Sequence, residues 1–259
     1  MKRITLLILT ASLLSASPID TYVSKTSCDK IINKQVVDIC YDYSVKGAKY
    51  VRYSVLKENV NVLNIRKRPR FYSEKNLPSK YRTKYADYTY AIGSEDCDGL
   101  VDQHCELSYD RGHLAPDADF DYDKKVLRKI YTMANIIPQV SVVNQKTWTK
   151  VEMYERKLAS SLGYIDVITG VDYENKNNFL VKKPLFMINT SKWKAKKFKK
   201  FEKQRRALAK KKILIPSGYW KAYSHPETGF LKCFYYENVL VNPKQDKLRD
   251  HEIDCGKVL

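Results

Sequence analysis

The stretch Asp110-Arg111-Gly112-His113-Leu114-Ala115-Pro116 decides the reading of this chain. Histidine is the side chain best suited to general-base work near neutral pH. An arginine beside it can make a forked contact with phosphate. Downstream come Ala134-Asn135-Ile136-Ile137-Pro138-Gln139 and then Asn144-Gln145-Lys146-Thr147-Trp148, continuing to Glu152, Glu155 and Arg156. Asparagine and glutamate supply oxygens that suit Mg²⁺, a cation that tolerates few protein ligands and keeps several waters. Base, phosphate clamp and oxygen ligands are the parts of a one-metal phosphodiester-cleaving site.

Taken singly, these residues have ordinary roles. A lone histidine is usually structural, an asparagine ahead of a helix usually caps it, and a glutamate on an exposed helix face is usually solvated. The ensemble, in this order and spacing, resembles the DNA/RNA non-specific endonuclease family, the ββα-metal or His-Me finger nucleases. DRGH is Asp110 to His113, NIIPQ is Asn135 to Gln139, and NQKTW is Asn144 to Trp148, with Glu152 eight residues beyond Asn144. Val167-Ile168-Thr169-Gly170 and Ile215-Pro216-Ser217-Gly218-Tyr219 also resemble family strand ends, so the likeness runs from Lys49 to Tyr236.

The resemblance implies a role for each residue. His113 is the general base toward the attacking water. Asn144 is the one direct protein ligand of Mg²⁺, for which Mn²⁺ can substitute, and Glu152 holds a metal-bound water. Arg111 contacts phosphate and stabilises developing charge. Asn135 and Gln139 position the loop and its histidine, with Gln139 also on the substrate side. The implied products are 5′-phosphate and 3′-hydroxyl ends, from DNA and RNA alike. Helix geometry raises one difficulty. Eight residues advance about 80° around a regular helix and eleven nearly return in phase, so Glu155 would align with Asn144 better than Glu152. The resemblance favours Glu152. The family also carries an upstream arginine near an aromatic residue. Arg66, Arg68 and Arg70 all precede Phe71 and Tyr72, and Arg70 is preferred.

Composition agrees with such a protein. Hydrophobic residues make up 44%, which sets disorder aside. The formal charge of +18 attracts polyanions without choosing among nucleic acid, anionic membrane and acidic glycan. Lys2 and Arg3, the apolar run Ile4 to Leu14 and the small residues Ser15 to Ser17 form a secretory signal pattern cut near Ala16. The expectation is therefore a leader over 1–16 and one domain over 17–259, exported to the periplasm or the medium. No later stretch is long and apolar enough for a transmembrane helix. Six cysteines in an exported chain point to disulfides, with 15 possible pairings. Proximity pairs Cys28 with Cys40, Cys97 with Cys105 and Cys233 with Cys255. No CxxC occurs, which sets zinc aside.

The expected fold is α+β, a central, mostly antiparallel sheet flanked by helices, with a ββα-metal finger carrying His113 and Asn144. Tyr50 to Leu56, Val60 to Ile65, Tyr164 to Thr169, Ile213 to Ile215 and Phe230 to Tyr236 read as strands, and Asn144 to Leu162 as helix. An acidic, cysteine-bracketed insertion spans about 93–108, where a solvated loop is preferred over a calcium site. Residues 192–212 read as a basic amphipathic helix, with Lys192, Lys196 and Lys199 as phosphate contacts. Two other readings compete: an exported nucleic-acid-binding protein with an inactive site, and a basic adhesin or membrane-surface protein using that helix. Neither DNA-versus-RNA preference nor monomer-versus-dimer state is legible.

Overall fold

The structure is a computed structural model that describes residues 17–63, 65–94 and 107–259. The expected leader and the Cys97–Cys105 bridge, with most of the acidic insertion, lie outside the described residues.

In chain order the strands are β1 (Lys30–Asn33), β2 (Asp38–Asp42), β3 (Gly47–Leu56), β4 (Ala91–Gly93), β5 (Tyr109–His113), β6 (Ile136–Val140), β7 (Tyr164–Asp172), β8 (Leu180–Lys182), β9 (Gly218–His225), β10 (Phe230–Glu237) and β11 (Glu252–Ile253). The helices are α1 (Pro18–Lys25), α2 (Tyr85–Tyr88), α3 (Lys124–Ile130), α4 (Trp148–Leu162) and α5 (Ala195–Lys211). Seven strands make one sheet in the order β1-β2-β3-β7-β9-β10-β11, every neighbouring pair antiparallel. β4 pairs with β8, and β5 with β6.

The period-2 alternation of side chains divides the core into two layers. On one face Val51, Tyr53, Val167, Tyr219 and Tyr223 pack with the β5–β6 pair, α3 and Trp148 and Val151 of α4. On the other, Tyr50, Ile168, Trp220 and Ala222 pack under Ile19 and Tyr22 of α1. That second layer also holds the disulfides Cys28–Cys40 and Cys233–Cys255, which are formed as proximity suggested. Because both faces of the sheet are covered, all eight residues of β9 are buried. Among the described residues no helix is long and apolar enough to cross a membrane.

The expected strands around Tyr50, Tyr164 and Phe230 are present as β3, β7 and β10. Two others are not. The described residues of the 60–65 run form no strand; Val60 and Ile65 pack half-buried against the core, while Val62 and Leu63 are exposed by 56% and 51%. Ile213 to Ile215 is a buried run with a single bridge, Leu214 to Phe179, and Pro216 ends its pairing. The basic helix begins at Ala195 rather than Lys192. Before it, Asn189 accepts from the Ser191 N–H and Thr190 C=O from the Trp193 N–H, a turn that sets the helix entry. Its end is Lys212 in the left-handed region (φ 52°).

Candidate active site

β5 carries Asp110, Arg111, Gly112 and His113 and is zipped to β6 in register, with His113 opposite Ile136 and Asp110 opposite Gln139. The pair is fixed to the large sheet at both ends. Thr169 of β7 donates to the Leu114 carbonyl (3.1 Å). Asn238, just past β10, accepts from Val140 N–H (2.8 Å) and donates to the carbonyls of Pro138 and Pro216 (3.0 Å each). After β6 the chain runs through a π-helical turn, Val143–Thr147, into α4. Strand, strand and helix thus form one finger.

Asn135 is fully buried and holds the loop after His113. Its Oδ1 accepts from Ala115 N–H, and its Nδ2 donates to the carbonyls of Ala115 and Ile130, each at 3.0 Å. It is a positioning residue, with its amide spent on backbone. Gln139 is likewise fully buried and lies directly under Gly112, where any Cβ would strike its side chain. It supports the strand from below and does not open onto the surface.

His113 stands between the rings of Phe71 (5.3 Å) and Tyr131 (5.0 Å). Its buried Nε2 has no hydrogen-bond partner among the described residues. Burial lowers its pKa to about 4, with Asp117 raising it and Arg68 and Arg111 lowering it. The imidazole is therefore neutral, and able to accept a proton, at neutral pH. Arg111 lies over the Tyr85 ring at 4.2 Å and near Phe71 at 5.8 Å. Of the three upstream arginines, Arg68 is the one held here: its Nε meets Asp117 and its Nη1 meets Asp121, both at 3.1 Å. Arg66 and Arg70 are exposed, and Arg70 contributes its backbone carbonyl to Arg128.

Asp110 turns the corner to the helix. Its Oδ2 accepts from Asn144 Nδ2 (3.0 Å) and Gln145 Nε2 (2.7 Å). A carboxylate can accept only from the nitrogen of an amide, so Asn144 Oδ1 faces away from Asp110 and is available as a ligand. The π-turn changes the phase between Asn144 and Glu152. Such a turn winds fewer degrees per residue than an α-helix, so Glu152 comes nearer in phase with Asn144 than a regular helix allows. Glu155 instead points into the core, where Lys221 donates to its Oε2 (2.5 Å) and Tyr53 to its Oε1 (3.1 Å). Arg156 pairs with the buried Asp119 at 2.9 Å.

Burial pushes the Glu152 carboxyl up to about 8; Lys221 and Arg156 oppose the rise, and Glu155 and Asp117 add to it. Beneath the finger, Lys221 and Arg156 face the acidic side chains Asp119, Glu152 and Glu155. A divalent cation beside Glu152 would favour its ionised form against that burial. The donors Asn144 Oδ1 and Glu152 are hard oxygens of the kind Mg²⁺ takes. Among the described residues no group of three or more His, Cys, Asp or Glu forms a ready-made metal cage. Asn144 Oδ1 and Glu152 would hold such an ion with waters filling the rest of its shell. Lys192, Lys196 and Lys199 are exposed on α5 and the turn that leads into it.

Comparison with known proteins agrees with this geometry. The family model described as DNA/RNA non-specific endonuclease matches residues 15–255. Human mitochondrial endonuclease G is 29% identical over 132 residues, 51% of this chain and 39% of that protein. Nuclease 1, mitochondrial, of Schizosaccharomyces pombe is 28% identical over 155 residues, 58% of this chain and 42% of its own length. The chain thus spans about two fifths of these curated relatives. A chain in the crystal structure of the EndoG/EndoGI complex superposes with a TM-score of 0.64 at 15% identity, covering 94% of this chain and 89% of that one, a likeness of fold. Motifs, finger and architecture converge: the chain belongs to the DNA/RNA non-specific endonuclease family.

Proposed function

We propose that this protein is an exported, Mg²⁺-dependent endonuclease that hydrolyses DNA and RNA with little regard for base or sugar, leaving 5′-phosphate and 3′-hydroxyl ends. The observation that carries the reading is a neutral His113 beside Arg111, on a strand whose Asp110 orients Asn144. His113 takes the proton of the attacking water. Arg111 neutralises charge on the scissile phosphate, and Arg68 keeps Asp117 in place beside the imidazole. Asn144 and Glu152 would hold Mg²⁺, which when bound polarises the phosphate and stabilises the leaving oxygen. Backbone charge supplies the affinity, so sequence matters little. Two disulfides and the N-terminal leader pattern support export.

The test is digestion of plasmid and total RNA by the purified mature protein in Mg²⁺, in EDTA, and by His113→Ala in Mg²⁺. Loss of both substrates only with metal and His113 is expected. Folded, oxidised wild type that cuts neither with any divalent metal would leave a nucleic-acid-binding protein in its place.

A further inference from the structure

Beside the finger lies a cavity of about 380 Å³ between the 85–90 segment and α5, lined by Tyr85, Thr89, Tyr90, Trp193, Lys197 and Lys200 among others. We propose that it is a base-stacking subsite for single-stranded nucleic acid. The proposal rests on the nuclease reading and names a substrate class for it.

Aromatic faces and phosphate-binding charge occur together here. Tyr90 and Trp193 lie 5.9 Å apart between centroids, and Trp193 and Phe201 5.3 Å. Tyr85 is 51% exposed and Tyr90 40%, so both rings are open to a ligand. Lys197 sits over the indole at 4.3 Å, and the lining includes no acidic side chain. Lys197 and Lys200 share the Phe201 side of α5, whereas Lys199, two residues before Phe201, projects about 200° away. Aromatic platforms beside lysines bind unstacked bases with little sequence preference.

The cavity is also joined to the catalytic finger. Tyr85, Thr89 and Tyr90 line a second cavity that contains Asp110, Arg111 and Lys183. Tyr85 therefore carries Arg111 on its ring and forms a wall of the subsite. Tyr90 is held in place at a conformational cost, with a φ of 54° in a region where non-glycine residues are uncommon. Lys183 N–H donates to its carbonyl (2.8 Å), and the buried Lys182 ammonium gathers the carbonyls of Ala86, Asp87 and Thr89 (2.5, 3.0 and 2.5 Å). A strained backbone that presents a ring to an open cavity is characteristic of a ligand clamp. A base reaches it only when out of a duplex stack, so a single strand uses the subsite and a double helix does not.

Fluorescence anisotropy in EDTA tests this without cleavage, using fluorescein-labelled dT12 and a 12-base-pair duplex. Trp193→Ala should weaken dT12 binding about tenfold and duplex binding less than twofold. Trp193→Phe should stay near wild type, and Lys199→Ala should weaken both probes alike. Tyr90→Gly guards against misfolding, because glycine relaxes the left-handed backbone. It should lose single-strand affinity while holding or raising Tm. Unchanged dT12 affinity in Trp193→Ala and Tyr90→Gly, or equal losses on both probes, would overturn the subsite even if digestion succeeds. Selective dT12 binding by a protein that cuts nothing would support the subsite and remove the nuclease reading alone.

Discussion

Replacing Gly112 with alanine puts the architecture of the finger to a quantitative test. A methyl group there would overlap the Cγ, Cδ and Oε1 atoms of Gln139. Gln139 is fully buried and cannot swing into solvent, so β5 must lift from β6. Overpacking of this kind costs about 1–3 kcal/mol. At about 1.4 kcal/mol per decade that is roughly a 5- to 150-fold shift in the folding equilibrium. The activity loss should be larger, because Arg111 and His113 flank the displaced residue and a shift of about 1 Å costs about 100-fold in rate. Urea denaturation and plasmid-nicking rates in Mg²⁺ read the two effects. Gln139→Ala opens the space, so the Gly112→Ala/Gln139→Ala double variant should recover stability relative to Gly112→Ala, with a coupling of about 1–3 kcal/mol. Gly112→Ala with a wild-type midpoint and rate would refute the packing. Additive effects in the double variant would show that Gln139 is not the obstacle.

Asn135→Ala strands one N–H and two carbonyls of the catalytic loop, and Tm should fall by roughly 5–10 °C with a parallel loss of activity; an unshifted Tm would contradict the role of loop brace. Lys221→Met leaves Glu155 charged and buried without its partner, a loss of about 3–5 kcal/mol by urea denaturation, and Lys221→Met/Glu155→Leu should regain much of it. A double variant no better than the single would speak against the pair. His113 titrates near 4 folded and about 6.5 unfolded. Between those values the unfolded chain binds a proton that the folded one refuses, so the neutral ring's contribution is complete above pH 6.5 and is lost as pH falls toward 4. In EDTA, the Tm of wild type minus that of His113→Asn should therefore shrink from pH 7 to pH 4.5, and a flat difference would contradict the burial of the ring.

What could be read beforehand follows from how local each signal is. β3, β7 and β10 declare themselves in short apolar and aromatic runs, and the two described disulfides join cysteines close in sequence. β9 carries no alternating strand signal because both its faces are covered and Lys221 sits in the middle, its burial made tolerable by Glu155 on a helix 66 residues away in sequence. Val60 to Ile65 has the pattern of a strand, yet among the described residues no strand pairs with it. In the site, DRGH and its companions marked Arg111, His113, Asn144 and Glu152. The placement of Arg68 over Arg70 depends on Asp117 and Asp121, which only the fold brings near. The phase of Glu152 and Glu155 relative to Asn144 depends on a π-turn, which helical periodicity assumes away.

The two described disulfides lie behind the sheet, among Tyr50, Trp220 and α1, while the finger works on the front. Durability and chemistry are thereby wired to opposite sides of one wall. Reductants and proteases act on how long a molecule survives, and leave its turnover untouched until it unfolds. Selection can thus lengthen or shorten the working life of the protein by editing the back of the sheet, with no renegotiation of the residues of the finger.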